Sequence, residues 1–324
     1  RKMMRVIRHR YEGYVYRIQP RHAPPIECTP EHNIFVYEDG QIVKKPACKL
    51  RKGDLLIVPK LKANFKDSVS LDVTGILQKY CVRMKKGRKT DRKALEKIAN
   101  MKKAGYSSRQ IGTESEMHPT YIRKLLGKLK KEGISDDTFY YNNDPVEKGG
   151  KVRFKGERGE GIPSVIKIDE NFAELLGYYC AEGCVRKSPD RPNSHSVVFS
   201  FGMHEKILVS KCAGLVREIF KVDARIAKTE TSLRVEVGKS SVALLMKHLC
   251  GSGAKNKKAP AQLSSCSLET IRAFLKAYIA GDGTILDTSI AVDTVSKRLA
   301  LGVYHLFLRC GCLPSFYEWK PSAR

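Results

Sequence analysis

The chain has 324 residues, of which 60 are Lys or Arg and 34 are Asp or Glu, so its formal net charge is +26 at pH 7. A hydrophobic content of 42% excludes a disordered basic tail, and no apolar run approaches the ~18 residues of a membrane span. The excess of positive charge predicts a polyanionic partner, nucleic acid by default, because each Lys or Arg placed on a phosphate releases counterions.

The length predicts two or three domains at ~100–200 residues each. No secretory segment opens the chain, and no membrane partner is expected because the basic residues are not gathered on one amphipathic stretch. The first residue is Arg1 rather than Met, so the sequence reads as a piece of something longer. The ten Cys residues, among them Cys28, Cys81, Cys212 and Cys266, are scattered. Cys180 with Cys184, and Cys310 with Cys312, lack the spacing of a zinc knuckle. Reduced thiols and a cytoplasmic, DNA-associated protein are expected.

Residues 1 to about 62 read as strands and turns. Gly13-Tyr14-Val15-Tyr16-Arg17-Ile18 alternates, and Asn33-Ile34-Phe35-Val36-Tyr37 runs into Glu38-Asp39-Gly40, where Asp-Gly is a hairpin turn signal. Gly53-Asp54 precedes Leu55-Leu56-Ile57-Val58-Pro59, a short strand closed by proline.

From Tyr80 to Gly133 the pattern turns helical and very basic. Leu95, Ile98, Ala99 and Lys102 recur at helical spacing, and Gly105 ends that helix. Ser107 or Ser108 caps a short second helix through Ile111. A third starts near Pro119 and turns Ile122, Leu125, Leu126 and Leu129 inward, leaving Arg123, Lys124, Lys128, Lys130 and Lys131 elsewhere on its surface. Three short helices so spaced resemble a helix-turn-helix, with His118 to Leu129 as recognition helix and Arg123, Lys124 and Lys128 as DNA contacts. Gly112 stands where many such motifs carry Ala. An ordinary basic helical hairpin is the alternative. The glycine-rich stretch 148–161 is expected to be a flexible linker.

An internal repeat follows. Glu174-Leu175-Leu176-Gly177-Tyr178-Tyr179-Cys180-Ala181-Glu182-Gly183 is an apolar helix ending in an acid and then Gly, and Phe274-Leu275-Lys276-Ala277-Tyr278-Ile279-Ala280-Gly281-Asp282-Gly283 repeats it 100 residues later. Each acid is expected as the last helical residue, with the following Gly as a left-handed cap. Gly177 with Ala181, and Ala277 with Gly281, put two small residues on one helix face, so the helices can pack backbone to backbone. Glu182 and Asp282 then meet at one end. Two close carboxylates repel unless a cation sits between them, and oxygen ligands favour Mg²⁺, with Mn²⁺ as a substitute. Alternating strands follow each copy: Ser196 to Phe201, Arg225 to Lys228 and Leu233 to Val237 after the first, and Thr288 to Val292 after the second, with a helix from Lys297 to Cys310.

Both helices resemble the LAGLIDADG (dodecapeptide) motif of intein-associated homing endonucleases. Lys257-Lys258-Ala259-Pro260 is similar to the Lys-x-x-Pro block before the second motif there, and the resemblance spans about residues 168–318. It implies that Glu182 and Asp282 ligate metal and position the attacking water, and that Lys257, with Lys258 as its rival, is the active-site lysine. It also implies two αββαββα half-domains saddling double-stranded DNA. Ser196, Ser200, Arg225, Lys228, Arg234 and Glu236 are then candidates to read the major groove.

Cys28-Thr29-Pro30-Glu31-His32 resembles the Thr-x-x-His block of intein and Hedgehog-type (Hint) splicing domains, and Lys49-Leu50-Arg51-Lys52-Gly53-Asp54 is similar to the stretch that follows it. Carried over, Thr29 and His32 would assist the N-terminal acyl shift. No N-terminal nucleophile block and no closing His-Asn pair stand in the sequence, so this chain is not expected to splice alone, and the second endonuclease half stops before its last strand pair. The expected architecture is α+β. A partial all-β Hint segment at 1–62 precedes a helix-turn-helix insert at 63–147, the linker at 148–161, and a pseudo-symmetric endonuclease domain, truncated in its second half, at 162–324. The expected function is a metal-dependent, site-specific DNA endonuclease inside an intein, monomeric, with host-protein exteins as partners in the parent precursor. A non-catalytic nucleic-acid-binding module, regulator-like or maturase-like, or a decayed intein remnant, is the alternative.

Overall fold

Residues 10–58, 69–85, 92–133, 140–189, 191 and 193–319 are described by the structure, a computed structural model. In chain order it opens with β1 (Tyr16–Ile18), β2 (Ile26–Cys28), β3 (Asn33–Glu38), β4 (Gln41–Pro46) and β5 (Leu55–Leu56). There follow β6 (Ser70–Asp72), α1 (Val73–Gln78), β7 (Arg83–Lys85), α2 (Arg92–Lys103), α3 (Ser108–Glu114) and α4 (Pro119–Glu132). Short strands β8 (Tyr140–Asn142), β9 (Pro145–Lys148), β10 (Lys151–Phe154), β11 (Ile162–Pro163) and β12 (Val165–Lys167) lead to α5 (Glu170–Glu182). Then come β13 (Gly183–Lys187), β14 (His195–Gly202), α6 (Lys206–Phe220), β15 (Arg225–Lys228), β16 (Ser232–Val237) and α7 (Ser240–Cys250). The last elements are α8 (Leu268–Asp282), β17 (Gly283–Ile285), β18 (Ile290–Val292) and α9 (Lys297–Arg309). Helix and sheet are mixed throughout, an α+β architecture.

The chain divides into two compact units. The first gathers residues 1–69, 168–182 and 249–324. Its amino-terminal part is the hairpin β3-β4, with Glu38 paired to Gln41 and β5 added beside β3. Asp39 and Gly40 take φ of 48° and 82°, the two-residue turn whose twist matches that of the strands. Val36 is fully buried while Phe35 and Tyr37 are exposed, the period-two pattern of a half-covered strand. The centre of this unit is α5 lying along α8, with Phe172, Leu175, Leu176 and Tyr179 of one helix and Ile271, Phe274, Leu275 and Tyr278 of the other all buried. Ser267 caps α8 by accepting from the Thr270 amide at 3.2 Å.

The second unit gathers residues 70–167 and 183–248. An antiparallel sheet of order β13-β14-β16-β15 buries Val197, Phe199, Phe201, Val235 and Val237 on one face, and α6 packs on β16 and β15. Helices α2, α3 and α4 close on a separate core of Leu95, Ile98, Ile111, Ile122 and Leu125, with Leu126 and Leu129 packed against it. Ser107, not Ser108, is the cap of α3. Its hydroxyl accepts from the Gln110 amide, and the Gln110 side chain accepts from the Ser107 amide at 2.8 Å. Gly105 ends α2 with φ of 87°. A Cβ at Gly112 would fall 2.6 Å from the Met117 carbonyl oxygen, which is why Ala does not stand there.

The segment 148–161, expected to be a flexible linker, is instead part of a three-stranded sheet β11-β10-β9. Gly149 and Gly150, with φ of 57° and 71°, make the tight turn between β9 and β10. Val152 and Phe154 are buried on one side of β10. Gly161 lies so close that a Cβ on it would be 2.8 Å from the Val152 carbonyl carbon. Glycines here serve a turn and a close approach rather than looseness.

Candidate active site

The first unit brings Glu182, Asp282 and Lys257 to the same ends of two packed helices. Glu182 is the last residue of α5 and Asp282 the last of α8. Close packing is possible because the facing residues are small: a Cβ at Gly281 would lie 2.5 Å from the Ala181 Cβ and 3.5 Å from Glu182 Oε1. The Glu182 side chain therefore lies over the glycine that precedes Asp282.

The expected left-handed glycine caps are not what the structure has. Gly283 is extended, with φ of −92° and ψ of 149°, and donates its amide to the Ile279 carbonyl, while Gly183 is the first residue of β13. A Cβ at Gly283 would stand 2.7 Å from Ile279 Cγ2. Glycine is required by the nearness of the last helical turn, not by a positive φ, because the chain passes directly from helix to strand.

Lys257 is nearly buried, and its Nζ donates to the carbonyls of Cys180 at 2.8 Å and Ala181 at 2.7 Å. A cation on the last carbonyls of α5 offsets the negative end of the helix dipole. Burial pushes the Asp282 carboxyl up from the ordinary aspartate range, and the nearby Lys257 ammonium pulls it part of the way back. Lys258 is held differently, by its backbone, with its amide on the Cys250 carbonyl at 2.8 Å and its own carbonyl accepting from the Cys180 thiol. The Lys257 ammonium is thus bonded to the end of α5 and acts on Asp282.

Among the described residues no three His, Cys, Asp or Glu side chains converge as a metal cluster. The donors on offer are the two carboxylates, both hard oxygen ligands, at the negative ends of two helices. One of them is penalised as a bare anion by its burial. That donor set fits a hard divalent cation whose remaining ligands are water and substrate oxygens.

The remaining candidates lie elsewhere. Thr29 and His32 occupy one tight turn, in which the His32 amide donates to the Thr29 carbonyl at 3.1 Å and the Ala47 amide to the His32 carbonyl at 2.9 Å. Arg123 and Lys124 are exposed on α4 and Lys128 is half-buried. In the second unit's sheet, pairing of Arg186 with Ser196, Ser200 with Arg234 and Arg225 with Glu236 puts all six on one face. Lys228 pairs with Leu233 and belongs to the opposite face, since it is three residues from Arg225 in a period-two strand. Arg186 was missed by the sequence reading, although its alternation with Cys184 after the Glu-Gly pair could have shown it. Arg234 Nε on that face is shielded from solvent and has no hydrogen-bond partner among the described residues.

Comparison with known proteins gives two family matches: an intein splicing domain over residues 1–266 and a LAGLIDADG-like domain over residues 269–324. A DNA polymerase of Thermococcus aggregans is 25% identical over 345 residues, covering 93% of this chain and 18% of its own length. One of Thermococcus litoralis is 25% identical over 352 residues, covering 93% and 20%. The chain thus spans about a fifth of the length of these curated relatives, at 18% and 20%. Among solved structures, mesophilic variants of the homing endonuclease I-DmoI are 16% identical, covering 44% of this chain and 78% of theirs with a TM-score of 0.37. The crystal structure of I-DmoI in complex with DNA and Mn is 15% identical, covering 43% and 77% with a TM-score of 0.34.

Proposed function

This chain belongs to the intein splicing-domain family and carries a LAGLIDADG-like domain, and we propose that it is the endonuclease-bearing part of an intein, hydrolysing both strands of DNA at a specific site with a divalent metal, Mg²⁺ or Mn²⁺. The observation that carries this reading is the pair of acids ending two close-packed helices with the Lys257 ammonium beside them. Glu182 and Asp282 would hold the cation, which would supply Lewis-acid neutralisation of phosphate oxygens when bound. Glu182 and Asp282 also orient the attacking water. Lys257 adds a fixed positive charge where negative charge grows on the phosphate.

Both motif helices come from one chain, so the nuclease works as a monomer. Ser196, Ser200, Arg225, Arg234, Glu236 and Arg186 present one polar sheet face to a DNA groove. Arg123, Lys124 and Lys128 on α4 add contacts to DNA as a helix-turn-helix would. Lys228 is assigned to phosphate rather than base contact. In the parent precursor, Thr29 and His32 assist the acyl shift at the upstream junction with the host protein.

The test is cleavage of a supercoiled plasmid library carrying randomised and genomic target sites, with Mg²⁺, with Mn²⁺ and with neither. Metal-dependent cutting at one site, abolished by Glu182→Gln, is the expected result. Binding without cutting at any metal concentration overturns the nuclease assignment and leaves a DNA-binding module.

A further inference from the structure

Lys257 is held at its tip by α5, and something must hold its backbone in register with those carbonyls. A bond to its backbone carbonyl comes from 39 positions further on. Ser296, fully buried, donates its hydroxyl to the Lys257 carbonyl at 2.6 Å. The same oxygen accepts from the Leu299 amide at 3.3 Å, which makes Ser296 the N-cap of α9. Its own amide donates to Thr294 Oγ1 at 3.2 Å, so the serine is tied on both sides.

The neighbourhood of this bond is equally constrained. A Cβ at Gly302 of α9 would lie 2.7 Å from the Ala259 Cβ, so the 257–260 loop lies directly on that helix. On the upstream side Gly251, with φ of 77°, leaves no room for a side chain against the Asn256 backbone. The Lys258 amide on the Cys250 carbonyl closes the loop. Within this frame the Ser296 hydroxyl links the start of α9 to the lysine itself.

We propose that Ser296 is a positioning residue for Lys257: its hydroxyl fixes the lysine backbone so that the ammonium stays on the α5 end beside the two acids. The inference rests on the nuclease reading for its consequence, but the geometry it asserts can be tested without activity. Removing the hydroxyl leaves the buried Lys257 carbonyl unpaired and lets the loop relax. Outer partners of metal ligands commonly cost about 10–100-fold in affinity or activity when lost, and a partner of the active-site lysine is expected on the same scale.

The test uses the full chain and peptide-resolved reductive methylation of lysine amines. Lys239 is the internal control, because it too is nearly buried and donates to the Arg158 and Glu160 carbonyls. In the parent chain Lys257 and Lys239 should both label slowly. In Ser296→Ala, Lys257 should label several-fold faster while Lys239 stays protected, and Ser296→Thr should restore the parent pattern. Unchanged Lys257 labelling, or a rise matched by Lys239, overturns the proposal, since the serine is then a helix cap and nothing more.

A second arm measures cleavage at saturating DNA. Ser296→Ala should slow the cutting step about tenfold or more, leave metal-free DNA binding unchanged, and have no further effect in a Lys257→Met background. Full additivity with Lys257→Met overturns the coupling. A parent chain that never cuts refutes the nuclease reading, while the labelling arm still decides the role of Ser296.

Discussion

Gly177 of α5 and Ala277 of α8 face each other so closely that a Cβ built at Gly177 would lie 2.7 Å from the Ala277 Cβ, and nearer still to the Phe274 carbonyl oxygen. The pair sets the spacing of the two helices and through it the separation of the acids at their ends. Gly177→Ala should therefore push the helices apart, at a cost of about 1–3 kcal/mol for overpacking. Urea unfolding measures it; a loss below ~0.5 kcal/mol, the level of an ordinary surface change, would mean that the helices are free to slide.

The two neighbouring lysines should separate cleanly. Lys257→Met strips two carbonyls at the end of α5 of their donor, and should cost about 1–3 kcal/mol as well as slow cutting about 10²–10³-fold. Lys258→Met leaves the backbone bonds of its loop in place and should change both only slightly. Thermal unfolding and the plasmid assay, run on the same two variants, give the comparison.

Asp282 predicts a pH effect. Its carboxyl is pushed up in the folded state by burial, so the folded chain holds its proton more tightly than the unfolded chain does. Such a group costs nothing below the ordinary aspartate range and destabilises the fold increasingly as pH rises through its raised value. Asp282→Asn should raise Tm at neutral pH, with the gain vanishing as pH falls below the ordinary aspartate range. Mg²⁺ should raise the Tm of the parent chain and not that of the variant. A gain that is constant across pH would show that ionisation is not its source.

On α4, Arg123→Gln, Lys124→Gln and Lys128→Gln should weaken DNA binding about equally for all sequences. Each should lower the slope of log affinity against log salt by roughly one if it meets a phosphate. Gly112→Ala, whose methyl group would meet the Met117 carbonyl, should disturb the α3-α4 turn and weaken binding without a matching change in slope. Fluorescence anisotropy over a salt series distinguishes the two.

The sheet makes a contrasting prediction. Arg186→Ala or Arg234→Ala, on one face, should change which bases are preferred. Lys228→Gln, on the other, should alter salt dependence alone. Selection of cleavable or bound sites from a randomised pool reads the difference, and equal loss of base preference in all three variants would contradict the face assignment.

Local signals were legible from the residues alone. Asp39-Gly40 is a turn because its residues accept positive φ, and a serine at 107 or 108 caps α3 because its hydroxyl reaches an orphan amide, the structure choosing Ser107. The repeated helix with small residues four apart also pointed to its own packing, since small residues on one face let two backbones approach closely. What the sequence could not decide were matters of long-range approach. Gly149, Gly150 and Gly161 have the composition of a linker, and only the presence of β10 beside them makes them a turn and a close contact. Gly283 follows an acid as a left-handed cap would, yet its conformation answers to Ile279 and to the strand it begins. The face carrying Lys228 follows from strand register, and the bond from Ser296 to Lys257 joins segments that no local pattern relates. Periodicity and turn chemistry act within a few residues and are written in the sequence, whereas register, close approach and a buried hydrogen bond across 39 residues exist only once the chain has folded.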